Sequence, residues 1–150
     1  MSERKDAQNL SNPTGQTAQT PAQRRAADAL RAVLELDPDE TFRKRYRAYV
    51  DRLGPSILMN GLGQALASER AAAGNEPSKR EEKAHESLYR NIQAWLHRSG
   101  VYNQQVEKDL LQAIVKHGEK EYLRAQAETL AWLVWHKKFC RAYLPPSDDE

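Results

Sequence analysis

Residues 130–135 read Leu-Ala-Trp-Leu-Val-Trp and lie inside a segment, residues 119–144, that contains neither proline nor glycine. Most positions of this segment hold strong helix formers such as Ala, Leu, Glu, Lys and Arg, so we predict one long helix. Because residues 130–135 are apolar on every side, we expect this helix to sit centrally among others. Pro145-Pro146 follows and should end it.

Upstream, the spacing of apolar residues predicts five more helices. The first starts at Thr20-Pro21, with Thr20 as N-cap and Pro21 in the first helical position. We expect Asp37 to cap the second helix. The core face of that helix consists of Phe42, Tyr46, Tyr49, Val50 and Leu53.

Gly54-Pro55 is predicted to end the second helix and to begin the third. The third, fourth and fifth helices each carry a set of apolar residues expected to point inward. These residues are Ile57, Leu58, Leu62, Ala65 and Leu66; then Leu88, Ile92, Trp95 and Leu96; then, after a cap at Asn103, Val106, Leu110, Ile114 and Val115. The charged first half of the fourth helix, residues 79–86, is expected to project into solvent.

These segments predict an all-α fold, a compact bundle of about six helices with a long apolar C-terminal helix. We expect one helical domain over residues 21–144. Residues 1–20 are polar, without apolar periodicity, and predict a disordered leader. Residues 145–150 form an acidic tail. With no apolar run of about 20 residues and no signal-peptide core, we expect a cytoplasmic protein without a membrane partner.

Charge is distributed unevenly along the chain. The net charge is +2, but residues 21–144 hold 21 basic and 16 acidic side chains. This excess permits contact with nucleic acid without requiring it.

The sequence contains no pattern typical of a catalytic, cofactor-binding or metal site. The four histidines lack paired ligand spacing, and Gly61-Leu62-Gly63 is not followed by the Lys-Ser/Thr of a P-loop. Cys140 and His136 are expected to pack in the core, so we do not predict an enzyme.

Two clusters of cations are candidate phosphate contacts. They comprise Arg43, Lys44, Arg45 and Arg47 in the second helix, and Lys137, Lys138 and Arg141 in the last one. A solvated surface explains the first cluster equally well, and the helix macrodipole by itself favours cations where the second one lies. Tyr46 and Tyr49 lie on the apolar stripe, so we expect core packing rather than base stacking.

Two segments resemble the small subunit of the type III-B CRISPR (Cmr) RNA-guided effector complex. One is Leu53 to Ala67, a proline-led helix with the core Asn60-Gly61-Leu62-Gly63-Gln64-Ala65-Leu66-Ala67. The other is Tyr122 to Phe139, which contains Leu130-Ala131-Trp132-Leu133-Val134-Trp135. Tyr89 to Leu96, with its Trp-Leu pair, stands between them in the expected order. The resemblance covers roughly residues 21–144, with Leu123 where a basic residue is commoner.

The resemblance implies a non-catalytic scaffold for antiviral defence. Such subunits stack head to tail with copies of themselves, beside backbone subunits that hold the guide RNA, and line the groove where target RNA pairs with it. RNA cutting belongs to the backbone subunits and DNA cutting to the large subunit. On this hypothesis the seven cations contact RNA. A type III-A small subunit, a helical adaptor or oligomerisation protein, and a helix-turn-helix DNA-binding regulator remain alternatives.

Overall fold

Six α-helices follow one another along residues 17–148, the part of the chain that the computed structural model describes. They are α1 (Pro21–Leu34), α2 (Glu40–Asn60), α3 (Leu62–Ala73), α4 (Arg80–Arg98), α5 (Leu110–Lys116) and α6 (Glu119–Tyr143). This confirms the predicted all-α bundle. The predicted leader lies outside the described residues as far as residue 16, and the acidic tail does so at residues 149 and 150.

The long helix α6 is the element against which α1 and α2 pack. Side-chain contacts between α1 and α6 advance in the same direction along both helices, from Arg25 with Glu128 to Asp28 with Trp132. The two helices therefore run parallel. Contacts between α2 and α6 advance in opposite directions, so these helices are antiparallel. Helix α4 covers α2 and α3, and the short α5 packs on α3.

Helix α1 begins where the sequence predicts, with Thr20 as its N-cap. The Thr20 hydroxyl accepts a hydrogen bond from the Gln23 amide at 3.1 Å, and the Gln23 side chain accepts one from the Thr20 amide at 2.8 Å. This reciprocal pair satisfies two amides that have no partner within the helix.

The N-cap of helix α2 lies two residues later than predicted. Asp39, rather than Asp37, accepts the hydrogen bond from the Phe42 amide, at 2.8 Å. Asp37 instead accepts from the Asp39 amide at 2.8 Å. Two aspartates flank Pro38, and only the second places its carboxylate over the first turn.

The predicted helix break at Gly54-Pro55 is wrong, because α2 continues through both residues to Asn60. A proline inside a helix costs roughly 3 kcal/mol. Part of that cost is the clash of its ring with the Cβ of the preceding residue, and Gly54 has no Cβ. Leu53 and Ile57 are both buried, and burial of such a side chain contributes roughly 1.5–3 kcal/mol. Packing on both sides of Pro55 therefore keeps the helix intact.

The real break between α2 and α3 is Gly61. Its backbone has φ of +85° and ψ of 160°, a region that is open essentially to glycine alone. A Cβ at this position would lie 2.9 Å from the Tyr122 hydroxyl oxygen. Helix α6 therefore approaches the backbone of this turn closely.

Several apolar residues expected in the core are exposed instead. They are Leu58, Val106, Val115, Val134 and Trp135. Helix α6 is consequently buried on one face, which includes Trp132 and Leu133, and not all round. The predicted cap Asn103 does not start α5: its side chain accepts a hydrogen bond from the Gln105 amide at 2.9 Å. This local turn competes with a helix, and residues 103–109 remain a loop.

The charged first half of α4 is also only partly exposed. Ala84 is buried, and the His85 ring stacks on Tyr49 with 3.7 Å between ring centroids. His85 in addition contacts the Glu69 carboxylate of α3. The first turns of α4 therefore hold α2 and α3 together.

We predict that Gly61→Ala lowers the free energy of unfolding by roughly 1–3 kcal/mol from backbone strain, with the clash against Tyr122 adding to this. Gly63→Ala is the matched control, because its Cβ would meet Ile114 and Tyr122 at ordinary distances of 3.5 and 3.6 Å. Urea unfolding followed by circular dichroism measures both variants. Equal stability of Gly61→Ala and the wild type would show that the turn tolerates a side chain.

Candidate nucleic-acid interface

The cations predicted in α2 point in different directions around that helix. Arg45 points towards α4, where its guanidinium lies 3.9 Å from the Glu81 carboxylate. The Lys44 amine lies 3.7 Å from Glu40 and 3.6 Å from Asp148. Exposed ion pairs of this kind contribute little to stability. Both cations can therefore exchange their partners for a phosphate.

Arg47 does not belong with the other cations that the sequence predicts as phosphate contacts. Its side chain is buried, and its guanidinium donates a hydrogen bond to the backbone carbonyl of Leu144 at 3.1 Å. This contact ties the end of α6 to α2, so Arg47 does not lie on the exposed surface with the other cations. Arg43, one turn earlier on α2, is half-buried. Four adjacent cations in sequence are thus not four equivalent surface charges.

The cations of α6 are more accessible. Lys138 is exposed, and among the described residues it has no ion-pair partner. The Arg141 guanidinium lies 3.7 Å from the Asp51 carboxylate of α2. Lys137 is half-buried at the rim of an open apolar groove of about 340 Å³ between α2 and α6, next to Leu58 and Val134.

The antiparallel packing of α2 and α6 brings part of the two predicted clusters together. Arg47 reaches Leu144, and Arg141 reaches Asp51, so the middle of α2 lies beside the last turns of α6. We refer to the accessible cations on these two packed segments as the basic end. Its members are Lys44, Lys137, Lys138 and Arg141. Arg45 lies apart from them on the α4 side.

Cys140 and His136 serve packing, as predicted. Cys140 is buried, and burial raises the pKa of its thiol to about 12. A reactive cysteine needs the opposite, an exposed thiol whose pKa is lowered by neighbouring positive charge. His136 is fully buried and stacks on Trp132, with 4.1 Å between ring centroids.

His136 also connects three helices by hydrogen bonds. Its Nδ1 donates to the Ala29 carbonyl of α1 at 2.9 Å, and its Nε2 accepts from the Tyr46 hydroxyl of α2 at 2.6 Å. The Tyr46 oxygen in turn accepts from Asn91 of α4 at 2.9 Å. A neutral ring with its hydrogen on Nδ1 satisfies both nitrogens in this way. Burial lowers the pKa of His136 to about 4, although Asp28 nearby opposes this.

Residues 17–148 contain no group of three or more His, Cys, Asp or Glu side chains arranged to hold a metal ion. Across the same residues, none of the helices is both long enough and apolar enough to cross a membrane.

A second concentration of positive charge lies outside the two clusters that were predicted. The first turns of α1, the last turn of α4 and the first half of α6 enclose an open cleft of about 380 Å³. We call it the arginine cleft after the arginines that line it, Arg24, Arg25, Arg98 and Arg124. Only two of them are neighbours in sequence. A search for runs of cations therefore misses the cluster, and helix packing alone creates it.

The chain was compared with known protein families. Residues 21–143 match the model of the family described as CRISPR-associated protein (Cas_Cmr5). The chain belongs to this family. It is accordingly a small subunit of the type III-B CRISPR (Cmr) complex, and membership in that complex implies association with its other subunits. A comparison with curated proteins found no match.

The two segments that carry the resemblance touch each other in the fold. The Leu62 amide donates to the Gln126 side chain at 3.0 Å, and the Gly63 amide donates to the Tyr122 hydroxyl at 3.1 Å. Those segments therefore specify a contact between helices. They do not specify which exposed cations meet RNA.

We predict that His136 makes the protein less stable in acid. In the unfolded chain the ring has a pKa near 6.5, whereas in the folded protein its pKa is about 4. Between these two pH values the unfolded state therefore binds a proton that the folded state does not. Stability is therefore full above pH 6.5 and falls as the pH drops towards 4. Between pH 7 and pH 5 the loss from this residue should be roughly 2 kcal/mol, measurable by urea unfolding at both values.

The assignment to His136 is checked by NMR on the folded protein. The His136 ring signals should stay those of a neutral imidazole, with hydrogen on Nδ1, at pH 5. A ring that titrates near pH 6.5 without unfolding would contradict the buried neutral state.

Proposed function

We propose that this chain is a non-catalytic spacer of the Cmr effector and that its cationic surface contacts target RNA paired with the guide. The proposed contacts are Arg43, Lys44, Arg45, Lys137, Lys138 and Arg141. The observation that carries the proposal is the basic end, where packing of α2 against α6 gathers cations from two predicted clusters. Arg47 is left out because it is buried.

The chemistry of the basic end suits contact with RNA of any sequence. Lysine and arginine side chains bind phosphate oxygens and neutralise their charge, which adds affinity but no base specificity. A guide-loaded complex needs such contacts, since base pairing between guide and target already reads the sequence. The proposal places this work in the cytoplasm.

We further propose that copies of the chain stack beside the backbone subunits and meet the large subunit at one end of the stack. Exposed apolar side chains support a role in assembly. Leu58, Met59 and Val134 are all more than half exposed, and Leu58 and Val134 border the apolar groove between α2 and α6. A contiguous apolar patch that is exposed on a soluble domain commonly marks a surface that a partner covers in the assembly.

The proposal that the chain is non-catalytic is supported by its candidate reactive groups, Cys140 and His136, which both serve as core residues. Cys140 has a raised pKa in the core, and both ring nitrogens of His136 are engaged by Ala29 and Tyr46. A helix-turn-helix regulator gains no support, because α3, the helix after the turn, uses Leu62, Ala65 and Leu66 to pack inward.

The assembly is tested by native mass spectrometry of the tagged full-length chain, purified gently from its own cells. We expect several copies together with larger proteins and one short RNA of defined length. Recovery of the chain alone and free of RNA, under conditions that preserve complexes, would favour an adaptor protein instead.

The RNA contact is tested with Lys137→Ala/Lys138→Ala in the assembled effector. We expect the Kd for complementary target RNA to rise several-fold at physiological salt, equally for all matched sequences, since only phosphate contacts are lost. The control Lys83→Ala/Arg90→Ala removes the same charge from exposed positions on α4. Filter binding at several salt concentrations measures both. The proposed contact is wrong if the two double variants bind target RNA alike.

A further inference from the structure

The arginine cleft brings four guanidinium groups to one place, and two of them are already paired. Arg25 makes two hydrogen bonds to the Glu128 carboxylate, at 2.7 and 3.0 Å. Arg98 donates to the Asp28 carboxylate at 2.7 Å. The hydrogen bond from Arg25 holds the pKa of Glu128 below its ordinary value, so this carboxylate is charged. These two pairs fix the walls of the cleft.

The other two arginines have no such partner. Arg24 and Arg124 are exposed, and within residues 17–148 the guanidinium of neither makes a hydrogen bond or an ion pair, although the charge of Arg124 helps to lower the pKa of Glu128. The first turn of α1, which borders the cleft, contains no acidic side chain to offset the positive end of the helix dipole. Four cations thus face two carboxylates, one of which, Asp28, is also paired with Arg31. The cleft retains unbalanced positive charge and fits an anion.

Arg124 lies on the same side of α6 as Lys138 of the basic end. The two residues are 14 positions apart, close to four helical turns, which places them about 21 Å from each other along the helix. Between them this side of α6 exposes Ala127, Val134 and Trp135. No acidic residue is exposed on the line that joins the two cations.

Trp135 distinguishes this side of the helix from a plain cationic surface. Trp95 and Trp132 are buried, whereas Trp135 is 36% exposed and its ring stacks on Phe139 at 6.0 Å. An exposed aromatic ring between cations is the arrangement used to bind single strands, because bases stack on the ring while phosphates meet the charges. An acidic protein segment would use the cations and leave the ring unused.

We propose that the arginine cleft binds a phosphate of a single-stranded RNA whose path follows the exposed side of α6 past Trp135 to Lys138. Arg24 and Arg124 supply the forked donors, which match phosphate oxygens better than a lysine does. Arg25 and Arg98 stay paired and keep the cleft open. The inference extends the proposed function, since it adds a second contact at the opposite end of α6.

The test uses the full-length chain and a labelled single-stranded RNA of mixed sequence, with Kd measured by fluorescence anisotropy across a salt series. Arg24→Ala/Arg124→Ala removes two phosphate contacts, so the slope of log K against log salt should become shallower by about 1.4. Arg24→Lys/Arg124→Lys keeps the charge and should recover most of the slope. The charge-matched control is Lys83→Ala/Arg90→Ala, which should retain the wild-type slope.

Trp135 gives an independent readout in the same titrations. RNA should quench part of the tryptophan fluorescence of the wild type, and Trp135→Phe should remove most of that quenching, because Trp132 is fully buried and Trp95, which lines the arginine cleft, is only 8% exposed. Undiminished quenching in Trp135→Phe would show that the strand does not pass this ring.

The outcomes separate this inference from the proposed function. An unchanged affinity and slope for Arg24→Ala/Arg124→Ala, with weaker binding by Lys137→Ala/Lys138→Ala, would overturn the arginine cleft and keep the basic end. The reverse result would keep the cleft and overturn the basic end as the RNA contact. Unchanged RNA binding combined with loss of association between subunits would show that the cleft docks an acidic protein segment, which also overturns the inference.

Discussion

The turn at Gly61 is the constraint on which the remaining helices depend. A helix begins with amides that have no partner inside it, and α3 begins at a partly buried position beside α6. Two side chains of α6, Gln126 and Tyr122, accept from the Leu62 and Gly63 amides. The chain can bring those amides so close to α6 only because residue 61 has no Cβ. The turn and the long helix therefore specify each other.

Polar contacts in the core then set the positions of the other helices along α6. Burial of apolar side chains supplies most of the driving force, but it is not directional. Hydrogen bonds are directional, and an unpaired buried donor or acceptor costs roughly 1–3 kcal/mol. His136 therefore fixes α1 and α2 relative to α6, and Asp28 fixes α1 through its contact with the Trp132 indole at 3.0 Å. A shift of one helix would leave these groups without partners.

How much of this could be predicted from the sequence depends on the range of the interaction. Helix number, the capped start of α1 and the core face of α2 follow from local spacing, and the structure confirms them. The continuation of α2 through Pro55 does not, because it depends on what Leu53 and Ile57 pack against. Likewise, Val106 is apolar and correctly spaced, but Asn103 forms a turn that precludes a helix there.

The candidate site likewise depends partly on local sequence and partly on how the helices pack. A run of cations in sequence predicted one surface, whereas the helical repeat sends Arg45 to α4 and buries Arg47 against the end of α6. The arginine cleft could not be predicted at all, since its members become neighbours only after α1, α4 and α6 pack. Runs of like charge are therefore weak guides to a binding surface on a helical protein.

The family match and the proposed RNA contacts consequently rest on different residues. The segments that resemble the family meet at the contact between Gly61 and Tyr122, inside the bundle. That contact determines a shape, namely a long α6 flanked by a parallel α1 and an antiparallel α2. The shape in turn decides which side of α6 stays exposed, and the cations at its two ends occupy that side. Recognition of the family thus identifies the scaffold, and the charges placed on the scaffold determine where the proposed RNA contacts lie.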